Sequence, residues 1–380
     1  KINEGLTRGV DEVIDFDHLK AALLSGRKLR IKLGIDPTSP NLHIGRAVPL
    51  LKLRDFQELG HQIVFIIGDF TGVIGDTSDK DSERPMLDAK KVKENMKTYA
   101  KQAAKILDIK KCEVRYNSEW LKKLNYHEIA RQADNFSLNE FISRENIRKR
   151  LDAGKRISLR ELIYPLMQGY DSVAINADVE IGGTDQRFNL LAGRELQRYY
   201  NHDPQDIITN PLIEGLDGRK MSSSWGNTIN LSDSANEMFG KIMSLKDEFI
   251  IRYFILATRV EIQKIREFDK ALASGENPRN IKAKLAFEVV KMYHGGKEAE
   301  KAEQEFDKIF KEGELPSEMP IFGTDKKDYP VLDLLCDTKL ASSKNEAERL
   351  GEQVGIVAIL DGNEEKITDW KNPIGLKDGI

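Results

Sequence analysis

The stretch Leu29-Arg30-Ile31-Lys32-Leu33-Gly34-Ile35-Asp36-Pro37-Thr38-Ser39-Pro40-Asn41-Leu42-His43-Ile44-Gly45-Arg46 decides the architecture. Residues 29–35 alternate as a strand does, and Asp36-Pro37-Thr38-Ser39-Pro40 ends that strand in a rigid turn. Residues 45–59 carry apolar side chains at helical spacing, Val48, Leu51 and Phe56 among them, with Gly60 placed to cap the end. Residues 63–67 form a short, wholly apolar run, the pattern of a parallel strand covered on both faces. A glycine-bearing loop follows at 70–76; a long amphipathic helix is predicted over 89–107 and a further strand over 113–116. Strands and helices alternating at this spacing predict an α/β fold with a parallel, doubly wound sheet. In such a sheet ligands bind beyond the carboxyl ends of the strands.

Residues of about 105–160 interrupt the alternation and read mainly as helices inserted into the α/β domain. A strand at 179–181, a helix at 184–200 and a strand at 206–213 restore it. Residues 232–311 read as helices throughout, broken at Gly275-Glu276-Asn277-Pro278 and Gly295-Gly296, and Pro316, Pro320, Gly323 and Pro330 then mark a linker. The expected division is an α/β domain over 1–230, an all-helical domain over 231–312, a linker over 313–329 and a small α+β unit over 330–380.

The formal net charge is −3, so any nucleic-acid contact must come from a local patch. One candidate lies between Arg144 and Arg160: Arg144, Arg148, Lys149, Arg150, Lys155, Arg156 and Arg160 stand against only Glu145 and Asp152, a local net of +5. It reads equally as a phosphate-neutralising surface and as a solvated helical face. Cys112 and Cys336 are too few for a disulfide framework or a four-ligand zinc site and fit a reducing cytosol. The longest apolar runs, 63–67 among them, fall far short of the ~20 residues of a membrane helix, and no cleavable signal pattern opens the sequence.

Several loops carry residues suited to a nucleotide. His43 sits where a loop enters a helix, whose N-terminus attracts anions, and Gly45 allows close approach to the backbone; alone, the fragment reads equally as a proline-led helix start. Lys220-Met221-Ser222-Ser223-Ser224 follows Gly215-Leu216-Asp217-Gly218-Arg219. Alone it is an ordinary solvated turn; downstream of a nucleotide-type sheet it reads as a loop whose lysine stabilises a leaving pyrophosphate. Gly182-Gly183-Thr184-Asp185-Gln186 ends a strand and opens a helix, with room for a ligand and a carboxylate for ribose hydroxyls; a tight turn N-capped by Thr184 or Asp185 is the plainer reading. Tyr164, Gln168 and Asp171 recur at steps of four and three and share one helical face, in isolation an ordinary surface. Asp36 and Asp76 stand at strand ends, and Lys80 and Arg84 lie on a polar loop that by itself is mixed-charge surface.

In order and spacing these segments resemble those of the class I aminoacyl-tRNA synthetases, and among them the tyrosyl enzymes, over about residues 1–370. The resemblance implies a Rossmann-like catalytic domain and a helical tRNA-binding domain. It also implies an S4-like RNA-binding tail, through Leu340-Ala341-Ser342-Ser343-Lys344-Asn345-Glu346-Ala347-Glu348-Arg349-Leu350 and a hairpin over 355–366. It implies a cytoplasmic homodimer, joined through the insertion, that activates tyrosine with ATP and transfers it to tRNA(Tyr). Mg2+ is expected with the ATP, and neither a bound organic cofactor, nor a protein metal site, nor a membrane is expected. By resemblance, His43, Thr38, Lys220, Lys80 and Arg84 stabilise the leaving pyrophosphate. Asp76, Thr71, Tyr164, Gln168, Asp171, Gln186 and Asp36 hold tyrosine, with Tyr164, Gln168 and Asp76 at its ammonium and Asp171 at its phenol hydroxyl. Gly34, His43, Gly45, Arg46, Gly183, Asp185, Leu212, Ile213, Lys220 and Met221 hold ATP, and Arg144, Arg148, Lys149, Arg150 and Lys155 meet RNA.

Four departures from the family pattern stand out. Arg46 replaces a histidine and Ser223 a lysine, a cation gained and a cation lost at the two nucleotide motifs. Lys32 occupies a position where many tyrosyl enzymes carry a tyrosine; strand alternation puts it on the face of Gly34 and Asp36, so tyrosine selection is expected to lean on Asp171. Residues 331–380 hold six Lys/Arg against ten Asp/Glu, a poor balance for a phosphate binder. Three alternatives are a synthetase for another aromatic amino acid, tryptophan first, a non-catalytic synthetase-like RNA-binding protein, and an unrelated nucleotidyltransferase.

Overall fold

In the computed structural model, which describes residues 1–78, 85–312, 322–325, 328–341, 343–353, 355–360 and 363–375, the site is organised by one six-stranded sheet. Its strands are β1 (Glu12–Ile14), β2 (Arg30–Ile35), β3 (Gln62–Ile67), β4 (Glu113–Tyr116), β5 (Val179–Gly183) and β6 (Asp206–Asn210). They lie in the order β1-β6-β5-β2-β3-β4. All neighbours are parallel except β1, which runs antiparallel to β6. The sheet is therefore mixed and predominantly parallel. The chain winds outward from β2 to β3 and β4, then returns to lay β5 on the other side of β2. That reversal opens a crevice beyond the ends of β2 and β5.

The apolar run of β3 is buried from Ile63 to Ile67. Its alternate residues serve two cores: Ile63, Phe65 and Ile67 pack with helix Ile44–Glu58, while Val64 and Ile66 pack with Trp120, Leu121 and Ile175. Covering on both faces is why the strand lacks polar alternation.

The helix expected over 89–107 is broken. Two short helices, Ala89–Met96 and Tyr99–Ala103, replace it. At and after the break, polar side chains leave the helical pattern to hold the loop after β2. Asn95 donates to the Pro37 carbonyl at 2.9 Å, Tyr99 to that of Ser39 at 2.7 Å, and Thr98 and Gln102 to that of Pro40 at 3.0 and 2.9 Å. The helices inserted after β4 are Ser118–Leu121, Tyr126–Ala133, Leu138–Ile142 and Glu145–Asp152, so β4 itself, inside the span read as insertion, belongs to the main sheet.

Helices Ala235–Met243, Ile250–Ala257, Ile262–Ala273, Pro278–His294 and Gly296–Asp307 follow. They share their apolar core with the sheet, Phe239, Phe254 and Val289 lying in the same cluster as Leu50 and Phe65. Lys1–Glu312 is accordingly one compact unit, and the boundary expected at 230/231 is not a break in packing. Arg8 fastens the two parts: its guanidinium donates to the carbonyls of Phe254, Ile255, Thr258 and Val260, around the end of helix Ile250–Ala257 where carbonyls lack helical partners.

Gly313–Ile380 forms a second unit. Strand Asp328–Pro330, at the edge of the span read as linker, pairs with Pro373–Gly375; two helices, Val331–Asp337 and Lys344–Glu352, and a hairpin of Val357–Leu360 with Asn363–Lys366 complete it. Residues 313–321 of the expected linker lie outside the described residues. No described helix is long and apolar enough to cross a membrane.

Candidate functional site

A cleft of about 250 Å³ opens at the carboxyl ends of β2 and β5. Asp36, Thr71, Asp76, Tyr164, Gln168, Asp171 and Gln186, expected at tyrosine, all line it. So do Thr38, expected at the leaving pyrophosphate, and Gly34, His43, Gly45, Arg46, Gly183, Asp185, Leu212, Ile213, Lys220 and Met221, expected at ATP. Lys80 and Arg84 lie outside the described residues.

The aromatic end is closed by helix Leu159–Ile175. Ser158 caps its start: Ser158 and Glu161 exchange side-chain and backbone hydrogen bonds in a capping box. The helical face with Tyr164, Gln168 and Asp171 turns to the cleft, not to solvent; Asp171 is 3 % exposed. Its carboxylate accepts from Trp120 Nε1 at 2.7 Å and Asn117 Nδ2 at 3.3 Å. Burial raises its pKa from 3.8 to about 7, against the lowering pull of Lys32 and these two donors.

Asp36 ends β2 and accepts from Thr71 Oγ1 at 2.7 Å and Tyr164 OH at 2.8 Å. Burial lifts it to about 6, with nearby Asp76 adding to the rise. A Cβ at Gly68 would fall 2.1 Å from Asp36 Oδ1 and 2.4 Å from Thr71 Oγ1, so any larger residue there would displace the Asp36 carboxylate or its partner. Asp76 accepts from Gln186 Nε2 at 2.7 Å and Ser78 Oγ at 2.6 Å. Asn189 joins the set, donating to Gln186 Oε1 at 3.1 Å and Gln168 Oε1 at 3.0 Å. Several carboxylates thus face one cavity with few cations on its aromatic side, an arrangement suited to an ammonium ligand.

At the other end, His43 precedes helix Ile44–Glu58. Its Nδ1 is buried with no hydrogen-bond partner among the described residues, and burial, then Arg46 and Lys220, lowers its pKa to about 3. The ring is therefore neutral, a hydrogen-bonding group and not a cation. A Cβ on Gly45 would meet that ring at 3.0 Å, and one on Gly183 would meet Asp185 Oδ1 at 2.4 Å. Lys220 Nζ lies 2.8 Å from Asp185 Oδ2. Arg46 donates to the Asp36 carbonyl at 2.7 Å and Thr38 Oγ1 at 2.9 Å, while Ser223 Oγ stands 3.3 Å from Ser39 Oγ. The two departures of the nucleotide motifs therefore touch successive residues of one loop.

Asn117, Trp120, Asn189 and Gly68 were not read from the sequence. Asn117 follows the carboxyl end of β4, and Gly68 that of β3, a position that could have marked them. Lys32 does not line the cleft; it is fully buried beneath it, 2.9 Å from Glu180. The basic patch divides. Arg148 and Lys149 are exposed and pair with Asp152 and Glu145 along their helix, and Lys155 is exposed. Arg144 is half-buried over the ring of Phe188. Arg150 is corrected: it is 1 % exposed and grips both oxygens of Glu161, at 2.5 and 3.1 Å, so no phosphate can reach it. It supports the capping box at Ser158.

A family model described as tRNA synthetases class I (W and Y) matches residues 24–311. The tyrosine–tRNA ligase of Thermotoga maritima is 45 % identical over 368 residues, which cover 96 % of this chain and 90 % of that protein. That of Dehalococcoides mccartyi is 44 % identical over 383, covering 100 % and 96 %. Among solved structures, the tyrosyl-tRNA synthetase of Archaeoglobus fulgidus complexed with L-tyrosine has a TM-score of 0.64 at 25 % identity, covering 80 % of this chain and 100 % of that one. A C-terminally truncated mitochondrial tyrosyl-tRNA synthetase from Aspergillus nidulans shares the fold, with a TM-score of 0.68 at 23 % identity over 81 % and 94 %. By this match along nearly its whole length, the chain belongs to the tyrosyl-tRNA synthetase family of the class I aminoacyl-tRNA synthetases.

Proposed function

We infer that the cleft carries both the activation of tyrosine by ATP and the delivery of the tyrosyl group to tRNA, the reaction of the family to which the chain belongs. The observation that carries the reading is the polarity of the cleft. A buried acceptor, Asp171, closes one end, carboxylates and amides line the middle, and a neutral histidine with a lysine and an arginine stands at the other end.

In the proposed mechanism the phenol hydroxyl donates to Asp171. A phenylalanine would leave that buried acceptor unpaired, a larger penalty than a missing apolar contact. The ammonium lies among Asp76, Tyr164 and Gln168, and Gln186 holds the carboxylate. One carboxylate oxygen attacks the α-phosphorus of ATP, the bond to the bridging oxygen breaks, and pyrophosphate leaves with the electron pair. The ribose of ATP takes Asp185, and its phosphates take Lys220, His43 and Thr38, together with Lys80 and Arg84. A hydroxyl of the tRNA terminal ribose then attacks the acyl carbon and AMP departs. The protein supplies position and fixed charge; no covalent bond to a side chain is required. Magnesium is proposed to enter with the ATP phosphates.

The exposed cations Arg148, Lys149 and Lys155 are proposed to meet the tRNA, with the helices after 231 and an S4-like tail as further contacts. A homodimer through the inserted helices and a cytoplasmic location complete the proposal. The deciding experiment is ATP–pyrophosphate exchange with each standard amino acid in turn. Exchange with tyrosine alone is the expected result. Exchange with tryptophan, or with none, would overturn the reading.

A further inference from the structure

One buried cluster has no part in that mechanism. Lys32 of β2 and Glu180 of β5 are partners across the two strands, 2.9 Å apart, with side chains 0 % and 1 % exposed. Helix Leu159–Ile175 lies over the pair: Lys32 Nζ also donates to the Gln168 carbonyl at 2.9 Å and to Ser172 Oγ at 2.8 Å. Glu180 accepts three further hydrogen bonds, from Gln168 Nε2 at 3.2 Å, Ser172 Oγ at 3.0 Å and Gln205 Nε2 at 2.5 Å. With Lys32 that makes four donors on one carboxylate, as many as its lone pairs take. A carboxamide or a protonated carboxyl here would set a donor against donors.

The consequence falls on Gln168. A primary amide has a donor end and an acceptor end, and its neighbours decide which way it points. Glu180 draws the NH2 end of Gln168 toward the floor. Its Oε1 is left at the other end, where it accepts from Asn189 Nδ2 at 3.0 Å; the same Asn189 nitrogen reaches Gln186 Oε1 at 3.1 Å, and Gln186 and Gln168 both line the cleft. We infer that Lys32 and Glu180 are positioning residues for the substrate ammonium: the buried pair locks the Gln168 amide with its oxygen toward the ligand, so that an acceptor and not a donor meets the cation. This rests on the reading that the ammonium lies beside Gln168. Reversed, the amide would turn its own N–H groups on the ammonium. Lys32 contributes by neutralising a carboxylate that could not stand buried alone.

The test is equilibrium binding of three probes to the full chain: tyrosine, tyramine, which keeps the ammonium and lacks the carboxylate, and desaminotyrosine, which keeps the carboxylate and lacks the ammonium. Two variants are used, Glu180→Gln and the double variant Lys32→Met with Glu180→Gln. The double variant leaves no charge unpaired and serves where the single one fails to fold, as judged by its melting curve. Both are expected to weaken tyrosine and tyramine by about 10-fold or more and desaminotyrosine by no more than about twofold. In pyrophosphate exchange the KM for tyrosine should rise while that for ATP holds. Equal losses for all three probes would make the pair a plain structural support and overturn the inference, as would no loss. Wild-type protein that binds tyramine no better than desaminotyrosine would overturn the underlying ammonium reading instead, and the inference with it.

Discussion

Asp171 and Asp36 show how single residues are held ready at a cost to the folded state. Each carboxyl is lifted by burial, to about 7 and about 6 from 3.8. A raised carboxyl binds more protons folded than unfolded between its two pKa values, so stability falls as pH rises through that window and the full penalty stands above it. Asp171→Asn removes the penalty. At mildly alkaline pH the unliganded variant should melt about 2 °C or more above wild type by calorimetry, while preference for tyrosine over phenylalanine in pyrophosphate exchange drops by about 100-fold. In the proposed mechanism Asp171 meets the substrate as an anion, with Asp36 expected beside it. Apparent affinity for tyrosine, measured by titration, should therefore fall as pH drops through about 7 and more steeply below about 6. Arg46 and Ser223 make a third case, because they contact Thr38 and Ser39, neighbours in one loop. If the gained cation stands in for the lost one, Arg46→His and Ser223→Lys will be non-additive by about 1 kcal/mol in adenylate formation. Additive effects would show that Arg46 only braces the loop through the Asp36 carbonyl.

At the scale of elements, helix Leu159–Ile175 depends on a buried salt bridge beneath its capped end. Arg150→Met would strand Glu161 and should cost about 3 kcal/mol in chemical denaturation. Arg148→Ala with Lys155→Ala should leave the melting point nearly unchanged and instead weaken tRNA binding and lessen its salt dependence. Helix Ile44–Glu58 was legible through its apolar period, and β3 through an unbroken apolar run that needs cover on both faces. Edge strand β1 spans only Glu12–Ile14, too short for alternation to register. The break at 97–98 was hidden for a different reason: Asn95, Thr98 and Gln102 fit a helical surface, and only their distant acceptors at Pro37 and Pro40 reveal their work. The candidate site was legible where it fell in contiguous motifs, as at His43, Gln186 and Lys220. It was not legible at Trp120 or Asn189, single polar groups whose meaning depends on Asp171 and Gln168 across the fold. Arg150 shows the opposite failure, since a charge count cannot tell an inward arginine from an outward one.

For the whole molecule, the described residues that line the cleft all belong to the unit Lys1–Glu312. A chain ending at Glu312 should keep tyrosine-dependent pyrophosphate exchange within about twofold and lose activity mainly in tRNA charging, if the tail contributes to RNA affinity. The helices after 231 do more than extend the sheet's core. Arg252 donates to the Leu212 carbonyl at 2.6 Å and Tyr253 to that of Glu214 at 2.5 Å, along the segment that walls the nucleotide end. Those two hydrogen bonds couple the segment to the helices. Heat inactivation of adenylate formation should then coincide with the melting of helical circular dichroism. The working temperature of this catalyst is governed from a distance: better packing around Phe239, Phe254 and Phe268, none of them near a reactant, would let the chemistry run hotter without altering the chemistry itself.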